Sequence, residues 1–399
     1  MTLPVESLSP QERQAGAALA AVFGLRMLGL FLILPVFAVH ARGIPGGDDV
    51  LLVGLALGAY GLTQAVMQIP VGTASDRFGR KPVIVGGLLL FAVGSAIAAS
   101  APDMHWMIVG RIVQGAGAIS AAVTALAADL TREQHRTKVM AMIGSSIGLV
   151  FAISLVAAPA LHAAVGMAGI FWLTALLALG AIGLIGFVVP PAPVLPAAAP
   201  VPLAVVLADA RLLRLNLGIF TLHMAQMAMF VALPGMLVGE GGLPLVDHWK
   251  IYLPAVLVSF ALMVPAIVLG ERRGRVREVM VAAIALLLVT ECLFAAGGRT
   301  LGWMAGGLVA FFVAFNILEA TLPSLISRVA PPQAKGAALG VYNTTQALGL
   351  FAGGALGGAL LKWHGASAVF VACATMVALW LLVAWRSPPL PLRGTTQTA

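Results

Sequence analysis

Charge is scarce in this sequence. Only 10% of its 399 residues are Asp, Glu, Lys or Arg, while 60% are hydrophobic. A soluble protein of this length could not hide so much apolar surface, so water is excluded as the solvent for most of the chain. Cysteine is nearly missing too. Cys292 and Cys373 both lie in apolar runs, with no CxxC pair and no Cys/His cluster, which leaves neither a disulfide framework nor a metal centre. There is no GxxxxGK[ST] loop, so the chain does not power itself with ATP. There is no HExxH, and no Ser/His pair or pair of aspartates at sensible membrane depth, which argues against an intramembrane protease. The net charge of +8 comes without a basic groove or an aromatic-basic module, so nucleic acid is not an expected partner. No short apolar segment with a cleavage site follows the polar N-terminus. The first apolar run is long enough to span, and it is expected to stay as an anchor.

What the chain has in abundance is long apolar runs. A span needs about 20 apolar residues. Twelve are expected, at 15–39, 51–73, 82–101, 104–128, 138–164, 168–189, 215–239, 249–270, 277–297, 301–326, 335–361 and 366–385. The basic residues cluster in alternate loops. With the N-terminus inside, only Arg42, Lys250, Arg299 and Lys362 fall on the outer side, and Arg26 and Arg111 lie within spans. Positive charge stays in the cytoplasm, so both termini are expected there. The expected organisation is a cytoplasmic N-terminal segment 1–14, a six-helix bundle 15–189, a central cytoplasmic loop 190–214, a second six-helix bundle 215–385 and a disordered tail 386–399.

The chain also repeats itself. Pro70, Asp76, Arg77, Gly79 and Arg80 recur as Pro265, Glu271, Arg272, Gly274 and Arg275, each at an offset of 195 residues. Each copy follows the second span of its half. The halves therefore read as repeats of one orientation, as in transporters whose site lies between them. In the first copy Gly79 permits a tight turn, Pro82 suits the first turn of a new helix, and Asp76 can pair with a base or face a helix N-terminus. The second copy has Glu271 for the aspartate and Val276 where Lys81 stood, and is expected to be mainly a positive anchor.

These stretches carry a resemblance. Gly72-(three residues)-Asp76-Arg77-Phe78-Gly79-Arg80-Lys81-Pro82 resembles motif A of the major facilitator superfamily, and Arg111-(two residues)-Gln114-Gly115-Ala116-Gly117 resembles its fourth-helix motif. Leu28-Gly29-(five residues)-Pro35 resembles its first-helix pattern. Residues 75–82, 129–134 and 316–327 are similar to the YajR-type inner-membrane transporters of the drug:proton antiporter group. The resemblance implies an all-α membrane protein of the major facilitator fold, in a bacterial-type inner membrane. It also implies a conformational latch of Gly72, Asp76, Arg77, Gly79, Arg80, Lys81 and Asp129. Asp76 would face the start of the eleventh helix in the outward-open state, and Arg80 would pair with Asp129. The sequence departs from the pattern in two places. Ala158-Pro159 stands where drug antiporters carry Gly-Pro, although small residues still allow close packing. The small soluble C-terminal domain of YajR-type proteins is expected to be absent.

A charge at bilayer depth is costly, so each is a functional candidate. Arg26, Arg111, His223 and Glu319 are the candidates for proton coupling, and they are expected to face one cavity. Tyr60, Gln64 and Gln68 share one helical face; Asn316, Gln226, Asn343 and Gln346 complete the expected substrate cavity. Glu291 reads as an interfacial acid near the outer end of its span. Gly349, Gly353 and Gly357 read as a close-packing face. The expected function is secondary transport by alternating access: proton-coupled efflux of a lipophilic, drug-like molecule, or else a facilitator or symporter for a small, anionic metabolite. The expected partners are lipid, protons and the substrate, with a monomeric chain, no metal and no cofactor beyond the proton gradient.

Overall fold

The computed structural model describes residues 8–191, 203–298 and 300–386. It is built of helices, with eleven helical stretches long and apolar enough to cross a membrane. In chain order the helices are α1 (Pro10–Phe31), α2 (Leu34–His40), α3 (Val50–Phe78), α4 (Arg80–Ala99), α5 (Met104–Ala116), α6 (Ser120–Asp129) and α7 (Arg136–Gly183). After residues 192–202 come α8 (Leu203–Ala208), α9 (Ala210–Gly239), α10 (Trp249–Arg272), α11 (Val276–Ala295), α12 (Leu301–Val329), α13 (Lys335–His364) and α14 (Ala366–Trp385).

The breaks have local causes. Pro35 has no N–H to give, and α1 and α2 part just before it. The fifth apolar stretch, Glu133–Val188, is 56 residues long. As one straight helix it would reach roughly 84 Å, against a hydrocarbon core of roughly 30 Å. It is broken at Gly166, which has φ 66° and ψ −178°. Gly365, between α13 and α14, adopts nearly the same conformation, φ 81° and ψ 177°. Only glycine takes that backbone shape without strain.

Several ends differ from the sequence expectation. The stretch left between the expected spans 51–73 and 82–101 is helical through Phe78, and Gly79 alone, at φ 93°, turns the chain into α4. A helix satisfies its own backbone and can extend its polar end into water beyond the apolar span. Residues 10–14, expected as a polar lead-in, are already helix. Ser9 and Glu12 form a capping box, and Glu12 is buried, accepting from Arg132 N at 2.9 Å, Nε at 3.0 Å and Nη2 at 3.0 Å. Within the expected central loop, α8 buries Val206 and touches α9 and α13. The rest of that loop at 192–202, the chain start at 1–7 and the tail at 387–399 lie outside the described residues.

Helix α1 packs along α7, and α13 packs along both α3 and α9. Glycines set how close α3 and α13 come. A β-carbon at Gly54 would fall on the Gly354 carbonyl oxygen, one at Gly61 on that of Ala347, and one at Gly358 on that of Val50. These contacts end near Gly61. Farther along α13, Gly336 and Gly340 have nothing within 4 Å. The two helices are therefore sealed at the end bearing Asp49 and Lys362, and diverge toward the end bearing residues 72–82, the basic face. Large side chains such as Val66, Leu176, Leu262 and Leu382 remain exposed. That would be a liability in water and suits lipid.

Candidate functional site

The four ionisable residues singled out in the sequence, Arg26, Arg111, His223 and Glu319, fall into two clusters. The first joins α1, α3, α4 and α5. Arg26, fully buried, donates from Nη2 to Tyr60 Oη and lies 5.4 Å from the Phe91 ring centroid. Arg111 lies 5.0 Å from the Tyr60 ring centroid. Its Nε donates to the Ala56 carbonyl at 3.2 Å and its Nη1 to Gln114 Oε1 at 2.8 Å. Gln114 in turn donates to Ser95 Oγ at 2.7 Å. Gly115 makes this possible, because a β-carbon there would strike the Tyr60 carbonyl and hold α5 away from α3. Aromatic faces and carbonyls take the place of a carboxylate around these cations. Among the described residues, Arg26 Nε and Nη1 and Arg111 Nη2 have no hydrogen-bond partner.

The second cluster joins α9, α10, α12 and α13. His223 Nε2 lies 3.7 Å from Glu319 Oε2 and 2.7 Å from Gln346 Nε2. Its Nδ1 faces the Ile219 carbonyl at 3.2 Å. One turn before Glu319, Asn316 donates to Ser259 Oγ at 2.8 Å. The Glu319 side chain is 36% exposed although it sits mid-helix against a buried histidine. A part-exposed side chain at that depth, flanked by α9 and α13, marks a cleft between helices, while the oxygen that faces His223, Oε2, is itself buried and without a hydrogen-bond partner among the described residues. An aromatic wall connects this cleft to the first half of the chain. Phe151 of α7 is 5.9 Å from Phe312 and 6.0 Å from Phe315, and Phe315 is 5.6 Å from His223, measured between ring centroids.

The four residues expected to face one cavity are thus divided. Arg26 and Arg111 sit with Tyr60 in one cluster, and His223 and Glu319 sit in the other. Of the expected cavity residues, Asn316 and Gln346 join the second cluster, Gln226 is buried on α9, and Asn343 is partly exposed on α13. Gln64 is partly exposed on α3, and Gln68 is buried with both amide atoms unpaired among the described residues. Glu291 departs from expectation. It is fully buried, with neither oxygen bonded among the described residues. Its helix, α11, packs against α14, and that cover cannot be read from the sequence. Ser95, Ser259 and Tyr342 were not anticipated. Ser95 and Ser259 are small and common, and only the neighbouring helix gives them a role.

At the basic face Arg80 bridges two acids, bonding Asp76 through Nη1 and Asp129 Oδ2 through Nε at 3.0 Å. It also donates to Ser75 Oγ at 2.8 Å. Lys81 donates to the Val189 carbonyl at 2.5 Å. Arg77 turns outward over Phe78, 5.3 Å from its ring centroid, and the nearest contact a β-carbon at Gly72 would make is with Ala121 of α6. Asp76 is 58% exposed. The second copy of the motif is more than a positive anchor. Glu271 accepts from Arg328 Nη2 at 2.7 Å, an ion pair with the charges reversed relative to Arg80–Asp129. At the opposite face Lys362 Nζ meets Asp49 Oδ2 at 2.7 Å and joins α13 to the start of α3.

Comparison with known proteins places this geometry. The model of the Major Facilitator Superfamily matches residues 15–354 and 248–398. The inner membrane transport protein YajR of Escherichia coli (strain K12) is 46% identical over 389 residues, covering 96% of this chain and 85% of that protein. The multidrug resistance protein MdtH of Aeromonas hydrophila is 29% identical over 350 residues, covering 84% of this chain and 85% of that protein. Among solved structures, the human organic anion transporter MFSD10 (TETRAN) superposes with a TM-score of 0.73 at 20% identity, covering 94% of this chain and all of that one. That likeness is one of fold.

Proposed function

The chain belongs to the major facilitator superfamily, a multi-pass transporter and not an enzyme, and from that premise we propose that it exports a lipophilic small molecule in exchange for protons by alternating access. Twelve spans in two six-helix bundles follow if Glu133–Val188 is two spans, a division its break at Gly166 supports. The positions of the basic loops support cytoplasmic termini in an inner membrane. The basic face is then the cytoplasmic one. The closed α3–α13 seam is then external, and the cleft opens inward.

One observation carries the proton-coupled reading. Glu319 is accessible in the cleft while touching His223, so a proton arriving from water meets an acid and an imidazole in series. The phenylalanines at 151, 312 and 315, and Met224 and Met227 on α9, are all buried in one apolar core, an adaptable surface that a lipophilic substrate would meet as the halves part. Multidrug resistance in the name of a relative points the same way. The test is transport of a fluorescent lipophilic cation by the purified protein in proteoliposomes under an imposed pH gradient. Wild type accumulates the dye against its gradient, and Glu319→Gln removes that gradient dependence. Equal pH dependence in wild type and Glu319→Gln would refute proton coupling through this site.

The unpaired guanidinium nitrogens of Arg26 and Arg111 favour a second reading, a facilitator or symporter for a small anionic metabolite. Uptake of an organic anion that ignores the pH gradient would decide for the facilitator.

A further inference from the structure

The hydrogen bonds of His223 fix which nitrogen carries its proton. Nδ1 faces the Ile219 carbonyl at 3.2 Å, and a carbonyl oxygen only accepts. Nδ1 therefore bears the hydrogen, and Nε2 presents its lone pair. Gln346 occupies that lone pair with its amide nitrogen at 2.7 Å, donating from α13. Glu319 approaches the same Nε2 from α12 at 3.7 Å. Further groups border this site among the described residues. From α12 there is Glu319, with the Phe315 ring beside the imidazole. From α13 there is Gln346, and Tyr342 in electrostatic range of Glu319 with its hydroxyl unbonded among the described residues. From α10 comes uncharged Ser259, held to Asn316 of α12. On α9 itself the partner is the Ile219 carbonyl.

Resting on the proton-coupled reading, we propose that Gln346 is a positioning residue that reports the protonation of His223 to α13. When a proton passes from the Glu319 carboxyl to Nε2, a carboxylate and an imidazolium result, and both ring nitrogens become donors. The amide NH₂ of Gln346 cannot stay opposite an N–H. It turns to present Oε1, or the bond between α9 and α13 is lost. Helix α13 is well placed to respond. Three and seven residues after Gln346, Gly349 and Gly353 rest on the α9 carbonyls of Phe220 and Met224, and Gly354 and Gly358 form the seam with α3. A change of hydrogen-bond sense at Gln346 thus acts within α13, about two to three turns before the glycines that close the external face.

The test compares Gln346→Glu and Gln346→Met with wild type across pH 5.5–8.5, reading gradient-driven transport in proteoliposomes. A glutamate at this position accepts from an imidazolium, so the alkaline limb of the profile moves to higher pH by about one unit. A methionine offers no donor, and the profile loses the wild-type inflection. Superimposable profiles for all three proteins overturn the proposal. A measurement on wild type stands independently of how the variants fold: ¹⁵N NMR of histidine-labelled protein at high pH, with His223 assigned from a His223→Gln spectrum. The expected signal is the Nδ1–H tautomer, and the Nε2–H tautomer overturns the proposal. Failure of proton coupling itself is read separately, from wild type against Glu319→Gln.

Discussion

A buried arginine without a carboxylate has few ways to be satisfied, and Arg26 uses two of them: the Tyr60 hydroxyl and the Phe91 ring. Tyr60→Phe keeps the rings and removes the acceptor. Leaving a buried donor without its partner costs about 1–3 kcal/mol, and more when the group is charged. Thermal melting in detergent should therefore show Tyr60→Phe less stable than wild type, and an unchanged melting temperature would mean that the aromatic faces alone hold Arg26. The sequence marks Arg26, Arg111, His223 and Glu319 as costly at membrane depth, and all four are interior or cleft groups. It does not say which of them meet. That depends on helix rotation and on partners far away in the chain, such as Gln346, 123 residues from His223. Glu291 shows the same limit from the other side: its depth along the helix suggests an interface, and its burial comes from neighbouring helices.

At the scale of the helix, the apolar runs and the repeat were legible because length and composition alone dictate a span. Helix ends were less so. Hydropathy stops at the apolar part, whereas α3 runs on to Phe78 and Gly79 makes the turn alone. Glycine spacing marked one packing face of α13 and missed the second. Gly349, Gly353 and Gly357 lie on α9, while Gly354 and Gly358 lie on α3. The second face yields a prediction. In Gly354→Val the new side chain meets the backbone of α3 at Gly54 and Gly58, which cannot yield as a flexible side chain does. The seam should part. Spin labels at Asp48→Cys and Trp363→Cys, in a background with Cys292 and Cys373 replaced by serine, should report a longer distance than in the parent. An unaltered distribution would show that the seam is not held by glycine contact.

Across the whole molecule, closure of the face bearing Asp49 and Lys362, external on the proposed orientation, also rests on an ion pair, and its pH behaviour can be worked out. Asp49 caps α3, accepting from Leu51 N at 3.0 Å, and it meets Lys362 at 2.7 Å. The Lys362 ammonium, with help from the Leu51 and Leu52 amides, holds the Asp49 carboxyl below its usual value of 3.8. A lowered pKa in the closed state means that the pair contributes fully above the ordinary carboxylate range and is lost only as pH falls through the lowered value. Between pH 5 and 8 its contribution is therefore constant. It can set the balance between open and closed external faces, but it cannot make that balance respond to protons in this range. On the proposed proton-coupled reading, the response comes from the Glu319–His223 cluster. Lys362→Gln should accordingly shift the 48–363 distance distribution toward the open form by the same proportion at pH 5 and at pH 8. Both partners are partly exposed, so raising the salt concentration should imitate part of the shift in wild type. If Lys362→Gln instead abolished the pH dependence of the distribution, the external pair would itself be the proton sensor, and the division of labour between the two faces would be wrong.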